Sequence, residues 1–140
     1  MSGFLLDTNV PSELVRARPE ARVKSWVGAQ SLIALYISAV SFGELRKGIA
    51  LRPSGAKRTE LEGWLERDLS ALFSGRILPV TRTIAERWGN LEAQQQLIGR
   101  KLHVPDGQIA ATAIEHGLTL VTRNTKDFTG LGVTLLNPWE

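Results

Sequence analysis

Residues 4–10 have the sequence FLLDTNV, in which a short apolar run ends at an acidic residue. A run of this length, followed at once by polar residues, is typical of a short buried strand. Pro11 comes next, and proline is favoured in the first turn of a helix. The segment therefore predicts a strand, then Asp7 at the end of that strand, then a helix that begins almost at once.

The same alternation of short apolar runs and longer helical patterns continues along the chain. Further strands are predicted at 32–37, 77–80, 118–121 and 133–136, and further helices at 20–29, after the cap Ser38, at 56–73, at 83–98, and between Pro105 and Gly117. Strands that alternate with helices form a parallel sheet covered by helices on both faces. We expect one α/β domain over residues 1–140, with a three-layer α/β/α arrangement and a mostly parallel central sheet.

Composition excludes several classes of protein. The 140 residues contain no cysteine and two histidines, which excludes disulfides, thiolate metal sites and a polyhistidine metal centre. No stretch approaches the roughly 18 apolar residues of a membrane span, and the N-terminus does not have the pattern of a signal peptide. We therefore expect a soluble, cytoplasmic protein. The net charge of +3 permits a nucleic-acid partner, although dispersed basic residues also fit an ordinary solvated surface.

Acidic residues recur where predicted strands end or predicted helices begin. Asp7 follows the first strand, Asp127 lies one loop after the fourth, and Asp106 opens a helix. Glu44 lies on the helix after the second strand. Neighbouring parallel strands are about 4.8 Å apart, so side chains that follow their carboxyl ends converge at one edge. We expect these acids to approach one another there.

Each acid also has a structural explanation when it is taken alone. Asp7 could cap the following helix, and Asp106 could interact with the dipole of its own helix. Glu44 could form a surface ion pair with Lys47, one helical turn away. Asp127 could be an ordinary turn residue.

Together, the acids indicate metal-assisted chemistry. Several carboxylates at one point repel one another unless cations neutralise them, and oxygen ligands without cysteine or histidine suit Mg²⁺ or Mn²⁺. Such ions can polarise a phosphodiester and activate water. The chain has no phosphate-binding GxxxxGK[ST] loop, no GxGxxG fingerprint and no GxSxG elbow. Asn9 occupies the position at which a phosphoaspartate phosphatase would carry a second aspartate.

Four ordered segments and a C-terminal one carry a resemblance over essentially the whole chain. They are FLLDTNV at 4–10, ISAVSFGEL at 37–45, PDGQIAATA at 105–113, LVTRNTKDF at 120–128, and NPW at 137–139. In these segments the chain resembles the PIN-domain ribonucleases, in particular the VapC and FitB type toxins of bacterial toxin–antitoxin pairs.

The resemblance implies an activity and a site. It implies a toxin that acts as an endoribonuclease and hydrolyses RNA phosphodiesters with Mg²⁺, for which Mn²⁺ can substitute. Asp7, Glu44 and Asp106 would be the catalytic, metal-holding acids, and Thr8 would hold the geometry of the site. Many relatives carry a fourth acid where Asn124 stands in this chain, which predicts weaker binding of a second ion.

The resemblance also implies partners. It predicts a homodimer and an antitoxin whose C-terminal segment lies over the active-site groove, with larger hetero-oligomers formed by the two proteins.

Asp127 lies in the same loop as Asn124 and could compensate for its lack of charge. The alternative reading is a catalytically weak PIN-fold module that binds nucleic acid or an antitoxin without turnover.

Overall fold

A five-stranded, all-parallel sheet forms the centre of the computed structural model, which describes residues 3–140. The strands are β1 Phe4–Leu6, β2 Leu35–Ser38, β3 Ile77–Leu78, β4 Thr119–Val121 and β5 Leu135–Leu136. Their spatial order is β3-β2-β1-β4-β5, so β1 is central. The expected α/β fold with a parallel sheet is confirmed. The predicted extent of 1–140 includes residues 1 and 2, which lie outside the described range.

Helices connect the strands on both faces of the sheet. They are α1 Asn9–Leu14, α2 Ala21–Ala29, α3 Ala39–Ala50, α4 Ala56–Gly63, α5 Ser70–Leu72, α6 Arg82–Leu97 and α7 Val104–His116, with a π-helical segment, Trp64–Leu69, that joins α4 to α5. Gly117 ends α7 in the left-handed conformation, as its position predicted. Between residues 3 and 140, no helix combines the length and the apolar character that a bilayer span requires.

Two apolar cores lie on opposite faces of the sheet, because successive strand residues point to opposite sides. Leu6 belongs to the core beneath α1 to α5, where Val10, Ile37 and Leu45 are also buried. Leu5 belongs to the core beneath α6 and α7, as do many buried residues of α7. Leu5 and Leu6 of β1 thus pack against the helical layers on opposite faces of the sheet.

Several element boundaries differ from the sequence-based prediction. β3 spans Ile77–Leu78 instead of the predicted 77–80, and the helix predicted at 56–73 is interrupted by the π-helical segment. The run at 32–37 begins as a 3₁₀ turn, Leu32–Ala34, and the strand starts only at Leu35. Arg76 explains the delay, because its guanidinium donates to the backbone carbonyls of Leu32 and Leu35 at 2.8 and 2.6 Å. The last strand is the pair Leu135–Leu136, shorter than the predicted 133–136.

Candidate active site at the carboxyl edge of the sheet

Strand register places Asp7 at the centre of the carboxyl edge. Leu6 pairs with Ile37 of β2 and with Val121 of β4, so Asp7 follows in line with the next residue of each neighbouring strand. The backbone N–H of Asp7 donates to the carbonyl of Val121 at 2.9 Å, which extends the pairing by one residue. Asp7 is buried, and it directly follows the central strand of the sheet.

Three donors surround the Asp7 carboxylate. The backbone N–H of Thr8 donates to Oδ1 at 2.8 Å, the Thr122 hydroxyl donates to Oδ2 at 2.8 Å, and the Asn9 amide lies 3.5 Å from Oδ2. No side-chain hydrogen bond caps α1. Within residues 3–140, the Asp7 side chain therefore does not cap α1, which was its alternative structural role.

Glu44 is held by the residue that follows Asp7. Ser38 caps α3 by accepting from the N–H of Val40 at 3.0 Å, and the second turn of that helix carries Glu44. The Thr8 hydroxyl donates to Oε1 of Glu44 at 2.6 Å, and it also lies 2.8 Å from Oγ of the buried Ser41. None of the ion pairs found in the described chain includes Glu44, so it does not form the alternative surface pair with Lys47.

Asp106 reaches the same edge from the first turn of α7. Burial, together with the negative charge of Asp7, raises the pKa of the Asp106 carboxyl to about 6. The charges of Glu44 and Asp127 act in the same direction, while the positive form of His103 acts against them. The charges of Asp7, Glu44 and Asp127 therefore all act on the Asp106 carboxyl.

Asp7 is subject to the same repulsion. Burial is the main cause that raises the pKa of Asp7 above its usual value, and the charges of Glu44 and Asp127 add to it. The hydrogen bonds from Thr122 and Thr8 lower the pKa, because both stabilise the ionised carboxylate. These two hydrogen bonds therefore favour the ionised form of the buried Asp7 carboxylate.

Asp127 lies in the loop after β4, and its negative charge acts on the carboxyl groups of Asp7 and Asp106. A 3₁₀ turn, Thr125–Phe128, carries Asp127, and the buried Phe128 anchors that turn in the core. The backbone N–H of Asn124 donates to the Thr122 hydroxyl at 3.0 Å. The side chains of Asn124 and Asp127 are both exposed, and within residues 3–140 that of Asn124 forms no hydrogen bond to a site residue.

The donor chemistry of this edge fits a hard divalent cation. Asp7, Glu44, Asp106 and Asp127 offer carboxylate oxygens, and none of them is ion-paired to a lysine, arginine or histidine in the described part of the chain. Glu44 and Asp106 also leave carboxylate oxygens without a donor from residues 3–140. As the side chains lie, however, no three acidic or histidine residues of that range converge closely enough to share one ion.

Two polar residues of the site were not predicted from the sequence. Thr122 bonds to Asp7, and Ser41 contacts Thr8. Both side chains are fully buried. A signal for Thr122 was present, because it is the first polar residue after the apolar strand β4, the same position that Asp7 holds after β1.

Comparison with known proteins shows to which family the chain belongs. The family model described as "PIN domain" matches residues 4–132. The chain belongs to the PIN-domain family. Over 137 residues it is 41% identical to the toxin FitB of Neisseria gonorrhoeae, covering 98% of this chain and 99% of FitB. It is 40% identical over 137 residues to the VapC ribonuclease Y4jK of Sinorhizobium fredii, covering 98% of each chain.

Solved PIN-domain structures have the same fold. The crystal structure of FitAcB from Neisseria gonorrhoeae contains a chain that superposes with a TM-score of 0.91 at 40% identity, covering 98% of this chain and 99% of that one. DNA-bound VapBC from Salmonella typhimurium gives a TM-score of 0.83 at 23% identity, which concerns the fold alone. This PIN domain therefore resembles the VapC and FitB type toxins in sequence as well as in structure.

Proposed function

We propose that this protein is a Mg²⁺-dependent endoribonuclease and the toxin of a type II toxin–antitoxin pair, formed by one PIN domain over residues 1–140. The observation that carries the proposal is the group of four acids at the carboxyl edge, none of which has a cationic partner within 4 Å among residues 3–140. The negative charges of Glu44 and Asp127 raise the pKa of Asp7 and of Asp106. Like charges at a buried edge are costly, so a site of this kind is suited to a bound cation. An RNA substrate would place the activity in the cytoplasm.

The roles of the residues follow from their contacts. Asp7 and Asp106 would be the main ligands, because both offer carboxylate oxygens at the carboxyl edge and neither is ion-paired within residues 3–140. Glu44 would bind the ion or orient the attacking water through the oxygen that Thr8 does not contact. Thr8 would hold Asp7 and Glu44 in a fixed relation, since its N–H bonds to one and its hydroxyl to the other.

A divalent cation bound there would neutralise charge and supply Lewis acidity toward a phosphodiester oxygen. The protein itself would keep Asp7 ionised, hold Glu44 in one rotamer, and place Asp106 on the rigid first turn of α7. Because the three residues come from β1, α3 and α7, their spacing depends on the packing of both helical layers against the sheet.

RNA cleavage by the purified protein, freed of any antitoxin, tests the proposed function. We expect cleavage with Mg²⁺ or Mn²⁺, loss of cleavage in EDTA, and much slower cleavage at the same ion concentration in the variants Asp7→Asn, Glu44→Gln and Asp106→Asn. Asp68→Asn is the matched control, because Asp68 is an exposed aspartate of the π-helical segment, away from the edge. Cleavage that persists in EDTA and in Asp7→Asn would contradict the proposal.

An antitoxin and a second copy of the chain are the proposed partners. The similarity of this chain to the toxin FitB and to a chain in the FitAcB structure supports both partners. A toxin–antitoxin complex from Klebsiella pneumoniae, which matches at 32% identity with a TM-score of 0.72, also supports the antitoxin. Light scattering of the isolated protein and of the protein co-expressed with the product of the neighbouring gene tests both partners. A strict monomer that binds no such product would contradict this part of the proposal.

A PIN-fold binding module without turnover is the second candidate. It is favoured by Asn124, which offers a neutral amide at the fourth acidic position, and by the absence of a three-acid cluster at ion-binding distance in residues 3–140. Growth during expression separates the two candidates. A toxin enzyme slows growth only with Asp106 intact, whereas a binding module slows growth equally as the Asp106→Ala variant.

A further inference from the structure

We propose that Asn137 and Trp139 are positioning residues that hold Thr122 against Asp7 at the carboxyl edge of the sheet. This inference rests on the proposed function, because that edge is the candidate nuclease site. The two residues belong to the segment NPW at 137–139, to which the proposed function gives no role. They act through Thr122, whose hydroxyl donates to the Asp7 carboxylate at 2.8 Å.

Thr122 is held from two sides where it leaves the sheet. Its hydroxyl bonds to Asp7 on the side of β1, and its backbone N–H donates to the carbonyl of Leu136 at 3.0 Å on the side of β5. β5 has two residues and lies at the edge of the sheet. Because so short an edge strand has few hydrogen bonds of its own, the place of Thr122 depends on what fixes the chain directly after β5.

The side chain of Asn137 fixes that chain to the loop after β4. Its amide donates to the backbone carbonyl of Arg123 at 3.3 Å, and its Oδ1 accepts from the N–H of Trp139 at 2.9 Å. Its own carbonyl accepts from the N–H of Glu140 at 3.3 Å, which closes a turn with Pro138 in second place. Asparagine followed by proline favours such a turn, so the loop after β4 is tied to a backbone of restricted conformation.

Trp139 anchors this turn in the core. Its side chain is 9% exposed and packs in the core on the side of α1 to α5, to which Leu6 and Val10 also belong. The guanidinium of Arg123 lies over the indole ring, 5.7 Å from its centroid, a distance at which cation–π attraction acts. Trp139 therefore holds the side chain of the same residue whose backbone carbonyl is bound by Asn137.

Trp139 also acts on α1, the helix that begins two residues after Asp7. The backbone N–H of Glu20 is the main cause that lowers the pKa of the buried Glu13 on that helix, and the Trp139 indole acts in the same direction. Trp139 thus lies between α1 and the loop that begins at Thr122. These elements directly follow the two ends of the hydrogen bond that orients the Asp7 carboxylate.

The variant Asn137→Asp tests the contact to the loop. It keeps an oxygen for the N–H of Trp139 but removes the donor to the Arg123 carbonyl, and its added negative charge by itself favours a bound cation. We expect the opposite effect, an Mn²⁺ affinity lowered about 10-fold in calorimetry of the full chain, as when a residue that supports a ligand is lost. Hydrogen exchange of the Thr122 backbone N–H, followed by NMR in EDTA, should become faster. Asn90→Asp, at an exposed position of α6, is the matched control and should change neither quantity.

A second comparison separates positioning from core packing. Phe73 is a buried aromatic residue of the same core, with the guanidinium of Arg76 at 5.3 Å from its ring, and it precedes β3 at the opposite edge of the sheet. Trp139→Leu and Phe73→Leu should both lower the melting temperature. Only Trp139→Leu should also weaken Mn²⁺ binding and speed the exchange of the Thr122 N–H. Trp139→Phe, which keeps a ring beneath Arg123, should lie closer to wild type in both quantities.

A double variant tests the route through Thr122. Asn137→Asp combined with Thr122→Val should bind Mn²⁺ no more weakly than Thr122→Val alone, because the hydroxyl that Asn137 positions is already gone. Losses of affinity that multiply in the double variant would overturn the proposed route.

The remaining outcomes separate this inference from the proposed function. Wild-type Mn²⁺ affinity and wild-type exchange in Asn137→Asp, or equal losses of affinity in Trp139→Leu and Phe73→Leu, would overturn the positioning role. Faster exchange of the Thr122 N–H in Asn137→Asp alone, in a protein that binds no Mn²⁺ and cuts no RNA, would leave the positioning of Thr122 standing. That result would contradict the endoribonuclease proposal only.

Discussion

The hydroxyl of Thr122 donates a 2.8 Å hydrogen bond to Oδ2 of Asp7, and both side chains are buried at the carboxyl edge of the sheet. The bond joins the first residue after β4 to the first residue after β1. It lowers the pKa of Asp7 against the effect of burial, which raises it. Thr122 is therefore a positioning residue, which acts on the candidate active site through Asp7.

Removing this hydroxyl should uncouple Asp7 from the site. Thr122→Val keeps the shape of the side chain but leaves a buried carboxylate oxygen without its donor, at a cost of about 1–3 kcal/mol. We expect Mn²⁺ affinity to fall roughly 10–100-fold, as is typical when a residue that orients a ligand is lost. Thr122→Ser should restore both stability and affinity. Equal affinity in the valine and serine variants, measured by calorimetry, would show that Thr122 only fills space.

Thr8 should matter through Glu44 in the same way. Thr8→Val removes the hydrogen bond of 2.6 Å to Oε1 of Glu44, while the backbone bond from residue 8 to Asp7 remains. We expect slower RNA cleavage with little change in the melting temperature, and recovery in Thr8→Ser. A valine variant that cleaves RNA at the wild-type rate would remove Thr8 from the site.

The raised pKa of Asp106 predicts a dependence of stability on pH in the metal-free protein. The folded pKa of about 6 lies above the usual aspartate value of 3.8, so the folded state binds more protons between these two values. Stability should therefore rise as pH falls from above 6 toward 4, and the destabilisation should be complete at higher pH.

The variant Asp106→Asn tests this sign directly. Urea unfolding in EDTA should show the variant more stable than wild type by roughly 1–3 kcal/mol at pH 8, with the difference shrinking toward pH 4. Asp68→Asn is the control for a generic change of charge. A difference that stays constant across this range of pH would contradict the raised pKa.

The loop after β4 offers a test of charge at the fourth acidic position. Asn124→Asp should tighten Mn²⁺ binding, because attraction between carboxylates and hard ions is mainly electrostatic. Asp127→Asn should weaken binding modestly, because the charge of Asp127 acts on Asp7 and Asp106 from an exposed position. Calorimetric titration of both variants measures these shifts. Two strong Mn²⁺ sites in wild type, unchanged by either substitution, would contradict this account of the loop.

The packing that holds Asp106 should be intolerant of a single methyl group. A Cβ at Gly107 would lie 2.6 Å from Cδ1 of Trp88, so in Gly107→Ala either the Trp88 side chain or the backbone of α7 must shift. We expect a lower melting temperature despite the better helix propensity of alanine. Gly28→Ala, where a Cβ meets nothing within 4 Å, should instead stabilise α2 by about 0.5–1 kcal/mol.

Much of the fold could be predicted from the sequence because local chemistry and global topology agree. The apolar run before Asp7, the cap at Ser38 and the glycine at 117 each specify an element boundary that the structure has. The predicted start of the second strand at residue 32 was wrong. The first apolar residues of the run at 32–37 are exposed, and the guanidinium of Arg76, distant in sequence, donates to the backbone carbonyls there.

The candidate site could be predicted in its acids but not in the residues that orient them. The position of an acid relative to a strand end or to the start of a helix is visible in the sequence, which is why Asp7 and Asp106 were predicted as candidates. Hydrogen bonds such as those of Thr122 and Ser41 depend on strand order and helix rotation, which only the folded chain determines. Their contribution became visible once β4 was found beside β1.

The dependence of the RNA cleavage rate on Mn²⁺ concentration tests directly whether the acids at the carboxyl edge form a metal-dependent nuclease site. One RNA substrate would be cut by wild type, Asp106→Asn and Asp68→Asn, each freed of antitoxin and first treated with EDTA. We expect saturable activation of wild type and Asp68→Asn at the same Mn²⁺ concentration. Asp106→Asn should require a concentration higher by more than the roughly 10–100-fold that follows loss of a ligand's supporting residue. Three superimposable curves, or cleavage that needs no added ion, would contradict the claim that these acids form a metal-dependent nuclease site.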